Sequence, residues 1–183
     1  MVSSTKRRLR LVGSMRLPIA KIVLGAVLGA TLIAVQYAMS PLPNIELVSL
    51  LIIIYACVFG GFALYPVLVF ITVEGLLYGF GIWWISYLYV WPLLVFIACV
   101  LQKHSSRILW AIVSGGFGLL FGALCAIPYF FISGSSGALA YWIAGIYFDL
   151  LHFLGNFTLA FFLFTPLYKA VQRIARISFL TND

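Results

Sequence analysis

The sequence predicts an all-α membrane protein: a six-transmembrane-helix bundle with N- and C-termini cytoplasmic. Three observations carry this. The chain is 64% hydrophobic and only 8% charged, with a mean hydropathy of +1.16, where a soluble domain is about a quarter charged. Its 183 residues leave room for about six spans of roughly 20 residues each. Its turn residues and its basic residues divide the apolar sequence into six runs whose ends alternate in charge.

Residues 1–16 form a basic arm with Lys6, Arg7, Arg8, Arg10 and Arg16, a topology anchor on an anionic cytoplasmic face. The transmembrane domain is expected over 17–172 and a cytoplasmic tail over 173–183. Span 1 runs from about Pro18 to Ser40, because Pro18 suits a first helical turn and Pro41 and Pro43 end the helix. Asn44 is placed to cap the next helix, with Glu46 in its first turn. Span 2 covers about Glu46 to Gly60 and turns at Gly60-Gly61. Span 3 covers about Ala63 to Gly81, and span 4 about Trp84 to Gln102 with Pro92 inside it. A polar break, Lys103 to Arg107, leads to span 5, about Ile108 to Ile132. The Ser133–Gly137 stretch reads as a flexible loop, and span 6 runs from near Leu139 to about Tyr168.

With the N-terminus inside and the spans alternating, all eleven Lys and Arg residues fall on the cytoplasmic side. Glu46, Glu74 and Asp149 fall in the outer half instead, and Asp183 is at the terminus. The net charge of +7 thus sits at helix ends, which excludes a nucleic-acid patch. Three cysteines in apolar runs argue against a disulfide framework. The first apolar run is too long for a signal-peptide core and no small-residue cleavage site follows it. There is no phosphate-binding loop, no metal-ligand spacing, no nucleophile elbow and no arginine ladder. Paired broken helices of a secondary transporter are absent too. These absences predict a non-enzymatic chain with no resident metal, cofactor or ATP site.

Ionisable groups within a bilayer are costly and face a cavity or a partner. Asp149 and His152 stand three residues apart in span 6, and Asn156 lies one turn further on the same face. Glu74 lies at a similar depth in span 3. Either these groups form an internal clamp, with Asp149 holding His152 and Glu74 bonded to another helix, or they line a pocket. Tyr78, Trp84 and Tyr87 belong to an aromatic cluster at the outer interface, which reads as an aromatic belt or as the wall of a pocket for a flat organic ligand. Tyr129, Tyr141 and Trp142 would close its other side.

Two stripes of small residues stand out. On span 1, Ala26, Ala30, Ala34 and Ala38 recur every fourth residue beside Gly25 and Gly29, which would let another helix come close. On span 5, Gly115, Gly118, Gly122 and Ala126 form a second such face, expected to pack within the bundle.

Six spans, basic inner ends and the alanine row on span 1 resemble the substrate-binding S components of energy-coupling factor vitamin transporters. The resemblance covers nearly the whole chain. The family's A-x-x-x-A docking motif matches Ala26, Ala30 and Ala34. The stretches Leu42–Leu50 and Glu74–Trp91 also look like this superfamily, and the cobalamin-type member is the most similar. The resemblance implies a multi-pass protein of the bacterial plasma membrane that captures a vitamin from outside. It implies docking through span 1 on a transmembrane coupling protein powered by two cytoplasmic ATPase subunits, with the 40–45 loop as a lid. With a corrinoid as ligand, the expectation is that His152 approaches its cobalt. The alternatives are an S component for another vitamin or cofactor precursor, a small membrane enzyme built on Asp149, His152 and Glu74, and a channel-forming subunit.

Overall fold

The computed structural model describes residues 2–104 and 106–177, with side chains over 19–104 and 106–176. Every element in it is helical: α1 (Val2–Met39), α2 (Val48–Phe59), a 3₁₀ turn (Gly60–Ala63), α3 (Leu64–Tyr78), α4 (Ile82–Leu101), α5 (Arg107–Cys125) and α6 (Ile127–Ile177). Among the described residues, five helical stretches are long and apolar enough to cross a membrane: Ile19–Met39, Val48–Tyr78, Ile82–Leu101, Arg107–Cys125 and Ile127–Arg176. The second joins α2 to α3 through the 3₁₀ turn. Large apolar side chains such as Phe131, Phe162 and Leu76 stand exposed around the bundle. An apolar exterior of this kind is compatible with a membrane-embedded protein.

The most apolar helix is the most buried. Every residue of α2 from Val48 to Ala56 is buried, and α2 lies against α4 and α6. α1 instead leans on α3. Leu24, Leu28 and Leu32 are buried on that side, and Gly25 and Gly29 meet Tyr65, Pro66 and Val69 so closely that a methyl group at either would clash. The alanine row turns the other way: Ala26, Ala30, Ala34 and Ala38 are all exposed. The glycines of α1 serve the bundle, and its alanines do not.

Two ends of the molecule differ in character. One gathers the end of α1, the start of α2, the end of α3 and the start of α4, since Gln36, Glu46, Tyr78 and Tyr87 line two neighbouring cavities there. The other gathers Cys57 at the end of α2, Lys103 after α4 and Lys169 late in α6. α2 and α3 therefore run in opposite directions, each only about 18–23 Å long.

Several boundaries differ from the sequence-based expectation. α1 does not start at Pro18 but runs on from Val2, through a stretch rich in Leu, Lys and Arg, which favour helix. The side chains of the basic arm and residues 178–183 of the tail lie outside the described residues. Asn44 does not cap α2. It adopts a left-handed backbone with φ 56°, which Asn tolerates, and the N-cap is Leu47. The expected single span over 108–132 breaks at Ala126, and helix resumes at Ile127, where Pro128 sits in a first turn that needs no N–H. Ser133–Gly137 is not a loop. Only Gly134 leaves the helix, at φ 70° and ψ −172°, a region cheap for glycine alone, so one residue absorbs the reversal. Tyr129 and Tyr141 stack across this hairpin with ring centroids 4.2 Å apart.

The α5 glycines pack within the bundle as expected. A methyl group at Gly118 would sit 2.9 Å from the His152 backbone, and one at Gly115 3.0 Å from Phe157. At Gly122 it would collide with the Asp149 carboxylate. α5 and α6 thus approach nearly to backbone contact.

Candidate functional site

The segment between α1 and α2 folds down onto the bundle. Leu42 N–H donates to the Met39 carbonyl at 2.8 Å and Ile45 N–H to the Leu42 carbonyl at 3.2 Å, winding the loop into successive turns. Ile45 and the Asn44 carbonyl come to rest on Gly155 of α6, where the missing side chain leaves room. This seats Glu46 against α6. Its Oε1 accepts from Asn156 Nδ2 at 2.8 Å and lies 3.2 Å from His152 Nε2. Its Oε2 accepts the Ser49 backbone N–H at 2.8 Å, an orphan donor of the first turn of α2. One carboxylate therefore ties the loop, α2 and α6 together.

Glu46 lies in the loop, ahead of the apolar helical stretch. Burial pushes its carboxyl up, but the hydrogen bond and charge of His152 and the bonds from Ser49 outweigh this. The group is held below its ordinary value of 4.5.

Above this clamp is a cavity of about 220 Å³, lined by Gln36, Ser40, Asn44, Glu46, Trp91 and His152 among others. A second cavity of about 270 Å³ is lined by Gln36, Ser40, Glu74, Tyr78, Trp83 and Tyr87. Gln36, Ser40 and Tyr87 border both, so the two adjoin, with Tyr87 between them. Tyr87 is fixed by rings on several sides: Trp83 at 5.1 Å, Trp91 at 5.4 Å and Phe70 at 6.2 Å between centroids. Phe121, which also lines the first cavity, meets the His152 ring edge to face at 5.1 Å.

Of the residues expected at the site, Glu74, Tyr78, Tyr87 and His152 line these cavities. Asn156 lies just beneath, bonded to Glu46. The other three do different work. Trp84 donates its indole N–H to the Ile71 carbonyl at 2.9 Å and packs edge to face on Phe80, fastening α4 to α3. Tyr129 stacks on Tyr141 in the α6 hairpin, and Trp142 lines a separate small cavity with Ala123, Ala126, Ala138 and Leu139. Asp149 does not hold His152: its Oδ1 accepts the Gly122 N–H at 2.9 Å, bridging α6 to α5. The clamp expected of Asp149 is made by Glu46 instead, because the loop reaches His152 from above while Asp149 turns to α5.

Sequence reading missed Glu46, which it assigned to a helix start, and also Gln36, Ser40, Trp91 and Phe121. The available signal was the placement of Glu46 with the other acidic residues in the outer half of the chain.

Two adjoining cavities with aromatic walls, two carboxylates, an imidazole and carboxamides can hold a flat ring and bond its polar substituents. Both carboxylate oxygens of Glu46 are already engaged, whereas the buried Glu74 opens on the second cavity. Comparison with protein-family models, with curated proteins and with solved structures gives no match.

Proposed function

We propose that this chain is the vitamin-binding S component of an energy-coupling factor importer, a non-enzymatic subunit that crosses a bacterial plasma membrane six times with both termini in the cytoplasm. The observation that carries this reading is the loop-covered cavity pair at the end of the bundle opposite Lys103 and Lys169. By the positive-inside rule that end faces outward, where a nutrient is met. The exposed Ala26, Ala30, Ala34 row on α1 supports the second half of the reading, docking on a transmembrane coupling protein driven by two cytoplasmic ATPase subunits. An exposed smooth stripe lets a partner helix approach closely in lipid.

The ligand is a vitamin or cofactor precursor. With the loop closed, cavities of about 220 and 270 Å³ are at the small end of ligand sites, which run from about 300 to 1,000 Å³. That size favours a single flat ring system. A corrinoid would need the 40–47 loop to swing away, and cobalt ligation through His152 Nε2 would first displace Glu46. Mass spectrometry of whatever copurifies with the detergent-extracted protein, followed by titration with a vitamin panel that includes cobalamin, separates these ligands. A tagged chain that captures neither a coupling protein nor ATPases from its native membrane removes the transporter reading. Ala30→Leu is expected to abolish uptake and leave ligand binding intact. Loss of binding instead would place the stripe inside the ligand-holding fold.

A further inference from the structure

A third cavity, of about 310 Å³, opens at the opposite end of the bundle between the end of α2, the α4–α5 connection and the last turns of α6. Its wall includes Lys103, His104, Thr165, Tyr168, Lys169 and Gln172. Both lysines are exposed, and among the described residues neither meets a carboxylate. The acidic residues with described side chains are Glu46, Glu74 and Asp149, and all three belong to the other half of the molecule. Gln172 Nε2 donates to the Tyr168 hydroxyl at 2.8 Å, which fixes that oxygen at the cavity and leaves its proton free to donate. The inner wall is apolar, with the buried Phe164 stacked on Trp110 at 5.6 Å. Close in sequence to the lining residues, Val100 on α4, Ile108 on α5 and Phe162 on α6 are exposed. Two uncompensated ammonium groups and several hydroxyl and amide donors thus ring a pocket whose rim is greasy.

We propose that this cavity holds the phosphate of an anionic membrane lipid, with Lys103 and Lys169 as its counter-charges, Tyr168 and Thr165 as hydroxyl donors, and the acyl chains lying along the apolar rim. Basic pockets between helices on the cytoplasmic side of a membrane protein suit such headgroups, and a phosphate diester supplies the acceptors and the charge that this wall lacks. The inference rests on the membrane placement of the chain and is independent of what the outer cavities bind.

The test uses the full chain, purified and returned to nanodiscs of phosphatidylcholine alone or with phosphatidylglycerol. The wild-type protein is expected to melt several degrees higher with phosphatidylglycerol and to keep a lipid adduct in native mass spectrometry. Lys103→Gln/Lys169→Gln should lose both effects and melt like wild type in phosphatidylcholine. Lys21→Gln/Arg176→Gln, which removes two charges outside the cavity, should retain them. Equal losses in both double variants, or none in either, would reduce the effect to diffuse surface charge and overturn the site. A competition arm with glycerol phosphate in detergent separates the sources: if the soluble phosphate gives the same stabilisation and displaces the lipid adduct, the occupant is a free phosphate compound and the lipid assignment fails.

Discussion

At the scale of single residues, Glu46 carries the most consequence. Two of its partners lie 106 and 110 residues away in sequence, so no local pattern could show them, whereas its bond to Ser49 is the short-range one that a helix start explains. His152 and Asn156 were legible as a shared helical face because their spacing is periodic. What they face depends on where a loop settles, and spacing does not encode that. Replacing Glu46 by Gln removes the charge but keeps the size. Hydrogen bonds to a charged group are worth about 1.5–3 kcal/mol each, so Glu46→Gln is expected to lower the thermal midpoint by several degrees. It should also speed maleimide labelling of a cysteine placed at Pro43, measured against the Pro43→Cys parent. An unchanged labelling rate would mean that the clamp does not hold the loop down. The pH dependence has a defined sign. The carboxyl is held below 4.5 in the folded protein, so its contribution is fully present above that value. It is lost as the pH falls below 4.5 through the folded value. The stability gap between wild type and Glu46→Gln should therefore shrink as the pH falls below 4.5, read from melting curves at stepped pH.

At the scale of elements, the two small-residue stripes were alike in sequence and are opposite in structure. Gly118 and Gly122 on α5 touch the backbone and carboxylate of α6, whereas Ala30 and the other alanines of the α1 row stand exposed. Periodicity reveals that a face is smooth but not whether its own bundle uses it. On α1 the distinction was within reach, because glycine and alanine occupy adjacent faces and only glycine permits the contact made with Tyr65 and Val69. Gly118→Val is expected to cost about 1–3 kcal/mol through overpacking, with a clear drop in melting temperature. Ala30→Leu should leave the midpoint within a degree or two of wild type, since exposed substitutions change stability by no more than about 0.5 kcal/mol. A large drop in Ala30→Leu would mean that α1 packs by its alanine face.

At the scale of the whole molecule, the helical class and the two contrasting ends were legible, because composition and charge placement are sums over the chain and survive local errors. The number of crossings is a finer matter. Val48–Tyr78 is a 31-residue apolar stretch, long enough for one tilted crossing at 1.5 Å per residue, and a single crossing there would leave its two ends on opposite sides of the membrane. Packing argues for two. Ser40, ahead of α2, and Tyr78, at the end of α3, line the same cavity, which requires a reversal between them. Gly60 supplies it with φ 59° and ψ −138°, a backbone state open to glycine. α2, at 12 residues, is shorter than the roughly 20 that span a bilayer. On the six-span reading such a short helix crosses by being buried among its neighbours, so that it need not meet lipid along its length. Cysteine labelling in intact cells decides between the two topologies. Single cysteines at Asn44, Gly81 and Gly137 should all react with a membrane-impermeant maleimide from outside. Cysteines at Gly61 and His104 should react only after permeabilisation. If Gly61 is protected on both sides and Asn44 and Gly81 label from opposite faces, Val48–Tyr78 is one crossing. The cavity pair beside Gln36 and Tyr87 would then lose the α3 wall that supplies Glu74 and Tyr78.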